Sequence, residues 1–196
     1  TQTSNTSDTS DMSHMSDITN PTPTIEQLLA IEACREAARR YSYGVDRLDG
    51  DVMKSAYWPD GTDDHGVFVG NAWEFCDRVV SSHGVWAWTM HTIFNHRVEI
   101  DPDGEHARGE ALNIAYLSHA DERRLSTWYG RYLDTYERRS GEWRIMHRVC
   151  VHHFDTTELV RVPELARQPV PADARVDFRI VELAAVHVRV VDDAEV

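Results

Sequence analysis

Cysteine is scarce and odd in number: Cys34, Cys76 and Cys150 are widely spaced among apolar neighbours. That suits buried thiols in a reducing compartment better than a disulfide framework. A dense Lys/Arg block is missing too, and acidic side chains outnumber basic ones 33 to 20, for a formal charge of -13. Nucleic acid and anionic membrane surfaces, which demand a clustered basic face, are therefore not expected partners. Apolar runs are interrupted every few residues by Arg, Glu, His or Asp, far short of the roughly 20 residues that cross a bilayer. The start carries no basic segment followed by an apolar one, so the cytoplasm is the expected compartment. No Gly-rich dinucleotide loop occurs, and no nucleotide cofactor is expected. The chain has 11 histidines, but Asp63, His65, His147, His152 and His153 show no tight ligand spacing, so neither is a metal.

What is present is enough for one domain with tails: 196 residues, with hydrophobic and charged shares of 41% and 27% that match an ordinary globular chain. Residues 1–24 are Thr, Ser, Asp and Asn with almost nothing apolar, which predicts a disordered leader. Order is expected to begin where Thr24 caps a helix. Its stripe Ile31, Cys34, Ala38, Tyr41, Val45, Leu48 steps by three and four, one face of a long helix that Gly50 is expected to end. A short helix from Asp51 to about Trp58 should stop at Pro59-Asp60-Gly61. His65 to Val69 reads as a short strand, and Asn71 as the cap of a third helix.

From Val85 to Ile100 the pattern changes to strict alternation. Trp86, Trp88, Met90, Thr92, Phe94, His96 and Val98 fall on one face, with Ala87, Thr89, His91, Ile93, Asn95 and Arg97 on the other. Asp101-Pro102-Asp103-Gly104 is a hairpin turn. Strands are then expected at about His106 to His119, Leu125 to Arg138 and Trp143 to Phe154. Helices followed by a meander predict an α+β domain, helices packed on the concave face of a curved, mainly antiparallel sheet. In the tail, 161–172 carries three prolines and reads as an excursion, whereas Val176 to Val191 alternates like a strand or an arm on a partner subunit.

Two polar residues stand out by position. Asp46 borders the stripe of the long helix, where an acid needs a partner or a proton. It either supports catalysis or pairs with Arg39 or Arg47. His91 sits mid-strand on the face with small residues; it is either a satisfied core histidine or a base. A helix-borne Asp meeting a strand-borne His would form a dyad able to take a proton from carbon. Tyr41 is either core packing or a hydroxyl aimed at substrate, and Asn113 either a buried amide or a pocket hydrogen bond. Arg131 could hold an anionic or carbonyl oxygen or a glutamate across the sheet. Trp58, Trp88 and Trp128 could line an apolar cavity or an interface, with Tyr57 beside them as a substrate contact; a cavity so lined would take a bulky alicyclic or aromatic substrate.

The run Gly130-Arg131-Tyr132-Leu133-Asp134-Thr135-Tyr136-Glu137-Arg138-Arg139-Ser140-Gly141-Glu142-Trp143-Arg144-Ile145, with the helical Asp46 and strand-borne His91, resembles the SnoaL-like branch of the nuclear transport factor 2-like superfamily over residues 25–156. The resemblance implies a cone-shaped curved sheet and a homo-oligomer, trimer or dimer, with Trp86, Trp88, Met90 and Phe94 as interface; residues 157–196 would be a C-terminal extension. Enzymes of this branch include scytalone dehydratase, hexachlorocyclohexane dehydrochlorinase and the bile-acid dehydratase, all cofactor-free lyases. It implies Asp46 and His91 as the catalytic pair, with Tyr41 assisting, and places His65 where two of these enzymes have a Tyr. The activity so implied is dehydration of a cyclic hydroxy-ketone such as a steroid, as in bile-acid degradation. Because the superfamily also holds ketosteroid isomerases and the small subunits of ring-hydroxylating dioxygenases, an isomerase or a non-catalytic subunit are the alternatives.

Overall fold

The computed structural model describes residues 22–120 and 123–159. Residues 1–21 of the expected leader, the proline-containing excursion and the strand expected at Val176 to Val191 lie outside the described residues. Helix α1 spans Ile25–Arg47 and opens with a capping box: Gln27 N–H donates to Thr24 Oγ1 at 3.2 Å, and Thr24 N–H donates to the Gln27 side chain at 2.9 Å. Cys34, Ala37, Ala38, Tyr41, Ser42 and Val45 form its buried face, with Ile31 packed at the margin, whereas Ile25, Leu28 and Leu29 are exposed.

The first helix ends before Gly50, in contrast to the sequence expectation. Leu48 takes a left-handed conformation at φ 51, and Asp49 caps the short helix α2 (Gly50–Ser55) by accepting Val52 N–H at 3.1 Å. The reversal depends on Gly44, where a Cβ would lie 2.6 Å from Met53 Cγ and 2.7 Å from Met53 N. Strand β1 (Tyr57–Asp64) then runs through Pro59-Asp60-Gly61 rather than turning there. Its register against its neighbour shifts between Tyr57 and Thr62, so Pro59 sits where no ladder N–H is needed, and Asn71 Nδ2 donates to the Pro59 carbonyl at 2.8 Å.

The segment expected as a strand from His65 to Val69 is a turn over residues 65–68, and only Val69 lies in a strand. His65 N–H donates to the Phe68 carbonyl at 2.9 Å and Gly66 adopts φ +73, which bends the chain back into strand β2 (Val69–Asn71). Asn71 caps helix α3 (Ala72–Ser82), accepting the N–H groups of Trp73 and Glu74 at 2.9 and 3.2 Å. A 3-10 turn at His83–Val85 leads into β3 (Trp86–Ile100), followed by β4 (His106–His119), β5 (Arg124–Arg139) and β6 (Glu142–Leu159), which runs on beyond Phe154.

These strands form one open, curved, mixed sheet in the order β2-β1-β6-β5-β4-β3, antiparallel except for the parallel pair β1 and β6. Helix α1 packs along β3 and onto β6, and α3 onto β1, giving the helix-on-sheet α+β architecture. Alternation along β3 is not strict. Between Ile93 and His96 it carries one residue more than β4 opposite, a bulge that exchanges the two faces. Thr89, His91 and Ile93 are partly buried, after which His96 and Val98 take over that role while Trp88, Met90 and Phe94 are exposed. Arg35 of α1 donates to the His96 carbonyl at 2.8 Å beside the bulge.

Small residues on β4 make the interior possible. Ala111 lies opposite Tyr132 and Ala107 opposite Tyr136, so both tyrosines are buried together with Tyr41, Tyr57, Met53 and Ile145. All three cysteines are free, and burial pushes their thiols up to about 12. No described helix is long and apolar enough to cross a membrane.

Candidate active site

Asp46 stands in the last turns of α1, where the helix dipole disfavours a carboxylate, so its charge must be met by other donors. Residues of β3 supply them. Thr89 Oγ1 donates to Asp46 Oδ1 at 2.9 Å, and His91 backbone N–H lies 3.1 and 2.9 Å from the two carboxylate oxygens. Because β3 is an edge strand, alternate N–H groups lack a ladder partner, and Asp46 takes the one at His91. The His91 ring closes the arrangement, with Nδ1 2.7 Å from Asp46 Oδ1. Both side chains are nearly buried, 10% exposed for His91 and 16% for Asp46. A carboxylate on Nδ1 fixes the tautomer whose Nε2 carries the free lone pair.

A second carboxylate–imidazole pair lies at the end of β1. Asp63 is fully buried; its Oδ1 contacts His65 Nδ1 and its Oδ2 accepts the Tyr57 hydroxyl at 2.7 Å. The other ring nitrogen of His65, Nε2, lies 3.4 Å from the Tyr41 hydroxyl, and the ring stacks on Phe75 with centroids 4.2 Å apart. Burial raises the Tyr41 hydroxyl well above the ordinary tyrosine value, aided by Tyr132 and Asp63, so Tyr41 is a neutral donor. His83, in the turn before β3, is held below the usual histidine range by burial and then by His91 and His65; it therefore lies within electrostatic reach of both pairs.

Beneath the tyrosines lies an ion pair with almost no solvent access. Arg148 Nε and Nη2 each donate to Asp134 at 2.7 Å, with side-chain exposures of 0% and 1%. The guanidinium carbon sits 4.0, 4.7 and 5.7 Å from the ring centres of Tyr132, Tyr41 and Tyr57. Its Nη1 has no hydrogen-bond partner among the described residues, nor do Asn113 Oδ1 and Ser42 Oγ, all buried. Buried polar atoms are nearly always satisfied in folded proteins, so orphans on α1, β4 and β6 mark an interior suited to a polar ligand.

The structure brings together Asp46 with His91, and Tyr41, His65 and Tyr57 around Asp63 and Arg148. Asn113 Nδ2 donates to the Tyr132 hydroxyl at 2.9 Å, which joins it to the same interior. Three other candidates lie elsewhere, and a fourth, Trp128, falls on the interior face. Arg131 donates to Glu110 across the sheet at 2.8 Å. Trp58 packs between the guanidinium groups of Arg139 and Arg144 and donates Nε1–H to the Glu137 carbonyl at 3.0 Å. Trp88 faces outward, whereas Trp128 lies opposite Ala115, itself opposite His91, reaches over Gly130, and stacks on His152 with centroids 5.4 Å apart. The aromatic wall of this interior is therefore tyrosine and phenylalanine, with Trp128 on the same face of the sheet as Tyr132. Sequence reasoning missed Asp63 as a partner of His65, and Tyr132, Asp134, Arg148 and His83 altogether; an Asp and an Arg on adjacent strands of a buried sheet were the available signal. Among the described residues no group of three His, Cys, Asp or Glu is placed to hold a metal ion.

The sequence profile of the SnoaL-like domain matches residues 26–149. The chain belongs to the SnoaL-like domain family. All residues of both pairs and of the tyrosine cage fall inside that span. Among solved structures, this SnoaL-like chain is similar to a candidate scytalone dehydratase from Novosphingobium aromaticivorans, at 18% identity and a TM-score of 0.60 over 69% of this chain and 92% of the other. It is also similar to a type 2 hexachlorocyclohexane dehydrochlorinase, at 17% identity and TM-score 0.64 over 71% and 97%. A type 3 enzyme from Novosphingobium barchaimii gives 19%, 0.63, 70% and 97%. At such identities the likeness establishes the fold. No curated protein gives a significant sequence match.

Proposed function

We propose that this SnoaL-like domain is a cofactor-independent lyase that eliminates water from a cyclic hydroxy-ketone, with hydroxysteroids of the bile-acid type as leading candidates. The observation that carries the reading is the 2.7 Å contact between Asp46 and His91, made by a carboxylate that also accepts from Thr89 Oγ1 and the His91 backbone N–H. His91 Nε2 takes the proton from the carbon next to the substrate carbonyl, and the C–H electron pair shifts toward the carbonyl oxygen to give an enolate. The imidazolium so formed lies against Asp46, which stabilises it without taking the proton. As the enolate collapses, the C–O bond at the β position breaks and its electron pair leaves with the hydroxyl. That oxygen takes the proton of the Tyr41 hydroxyl beside it and departs as water. Arg148 Nη1 and the Tyr41 hydroxyl are donors for the carbonyl oxygen and the departing hydroxyl, and the aromatic interior suits a flat apolar ring.

The neighbours' names, dehydratase and dehydrochlorinase, are those of eliminating enzymes, which supports this class for the present chain. The same pair would also move a double bond, so isomerisation is the second enzymatic outcome to score. The outward-facing Trp88, Met90 and Phe94 are 40%, 46% and 51% exposed; with them the protein is proposed to assemble as a homo-oligomer through its sheet face. The test is to incubate the purified chain with hydroxysteroids carrying a hydroxyl β to a ring ketone and follow conjugated-enone absorbance. His91→Ala should abolish the signal; undiminished turnover in that variant would reject His91 as the base. Absence of any turnover, together with co-purification of a large oxygenase partner, would favour a non-catalytic subunit.

A further inference from the structure

The Asp46–His91 pair explains removal of a proton but leaves a second imidazole–carboxylate pair in the same interior without a task. Asp63 is fully buried and its two oxygens are both engaged, by His65 Nδ1 and by the Tyr57 hydroxyl. That geometry fixes the His65 ring on one side and Phe75 stacking fixes it on the other, so Nε2 is directed at the Tyr41 hydroxyl, 3.4 Å away. The His65 side chain keeps 16% exposure, enough to exchange protons with solvent, whereas Tyr41 is 2% exposed and reaches solvent protons through His65. Tyr41 precedes Asp46 by five residues on one helix, about 7.5 Å along the axis. That spacing suits a base acting at a C–H and an acid acting at the C–OH beside it.

Resting on the lyase reading above, we propose that Asp63, His65 and Tyr41 form a second proton relay, separate from Asp46–His91, that protonates the departing hydroxyl. Tyr41 is the residue touching the leaving oxygen; His65 feeds it, and Asp63 is a positioning residue. In the step, the C–O electron pair goes to the leaving oxygen, which takes the Tyr41 hydroxyl proton and departs as water. The Tyr41 oxygen is reprotonated by the Nε2–H of an imidazolium His65, leaving neutral His65 with Nδ1–H on Asp63. His91 ends protonated and His65 ends neutral, and one proton lost and one gained through solvent restore both. The charged and titratable groups with a contact or electrostatic link to Asp63 or His65 are Tyr57 on β1, Tyr41 on α1, Cys76 on α3, His83, Tyr132 on β5 and Cys150 on β6, with Arg148 of β6 against the rings of Tyr41, Tyr57 and Tyr132.

The relay separates two readouts that one histidine would keep together. With a β-hydroxycyclohexanone and β-hydroxyketo-steroid panel in D2O, deuterium incorporation next to the carbonyl reports His91, and enone formation reports the relay. His65→Gln should keep exchange within about twofold while elimination falls by about 10² or more, the scale of general-acid catalysis. Asp63→Asn should show the same split. On the wild-type chain, elimination should fall at high pH in a limb that exchange lacks, a readout that needs no variant to fold. Equal loss of both activities in a folded His65→Gln protein, unchanged elimination, or identical wild-type pH profiles would overturn the relay alone. Absence of any His91-dependent exchange on the wild-type chain would overturn the lyase reading and the relay with it.

Discussion

Replacing Arg148 by Met removes the cation from the most deeply buried ion pair of the fold and leaves Asp134 with the Tyr136 hydroxyl, which donates to it at 2.8 Å. Removing one partner of a buried pair costs about 3–5 kcal/mol, because the remaining charge is desolvated without compensation. The three tyrosine rings stacked around the guanidinium lose a cation–π contact worth about 1–2 kcal/mol more. For a domain of this size each kcal/mol corresponds to about 3 °C, so Arg148→Met should lower the melting temperature by about 10–20 °C. The double variant Asp134→Leu/Arg148→Met removes the orphaned charge but not the cation–π loss, so it should melt between the single variant and the wild type. Circular dichroism melts at pH 7 on the three proteins decide the matter. A double variant that melts at or below Arg148→Met would show that the penalty is lost packing rather than an unpaired buried charge, and would refute the reasoning.

Asp46→Asn should leave the fold intact but lower kcat by about 10²–10⁴, since an amide no longer enforces the His91 tautomer; a steady-state assay with less than tenfold loss would contradict it. Gly44→Ala places a Cβ 2.6 Å from Met53 Cγ and 3.0 Å from the Asp49 carbonyl and should cost about 1–3 kcal/mol in urea denaturation. An unchanged midpoint there would show that α2 yields freely. His96 is lowered to about 4 chiefly by burial, so between pH 6.5 and 4 the unfolded chain takes up a proton that the folded chain refuses. Stability should therefore fall as pH drops through that window, and His96→Gln should flatten the slope; an unaltered pH profile would rule His96 out as its source.

The long helix and the sheet were legible because they rest on local periodicity, and the placement of Asp46 and His91 because of the resemblance carried by the run Gly130 to Ile145 across β5 and β6. What escaped depended on register. A hairpin from Ser140-Gly141 without irregularity would set His147 opposite Asp134; the shift between Thr135 and Tyr136 brings Arg148 there instead. No periodicity announces that shift, so a buried Arg on β6 was not sought. In the same way the bulge after Ile93 exchanges the faces of β3, so that His96 points inward although alternation placed it with the outward tryptophans. His65 was read in a strand because β-branched neighbours outweighed Gly66. Its position in a turn is what lets the ring reach back to Asp63, two residues earlier, and forward to Tyr41 on the helix.

The most direct test of the central claim is a crystal structure with a ketone analogue of the substrate bound that lacks the leaving hydroxyl. The account predicts the carbon next to the carbonyl within about 3.5 Å of His91 Nε2, the Asp46 contact intact and the ring against Tyr41 and Tyr132. An analogue seated elsewhere, for instance in the cleft of about 490 Å³ lined by Arg97, Glu110, Leu133 and His147, with His91 untouched, would contradict it.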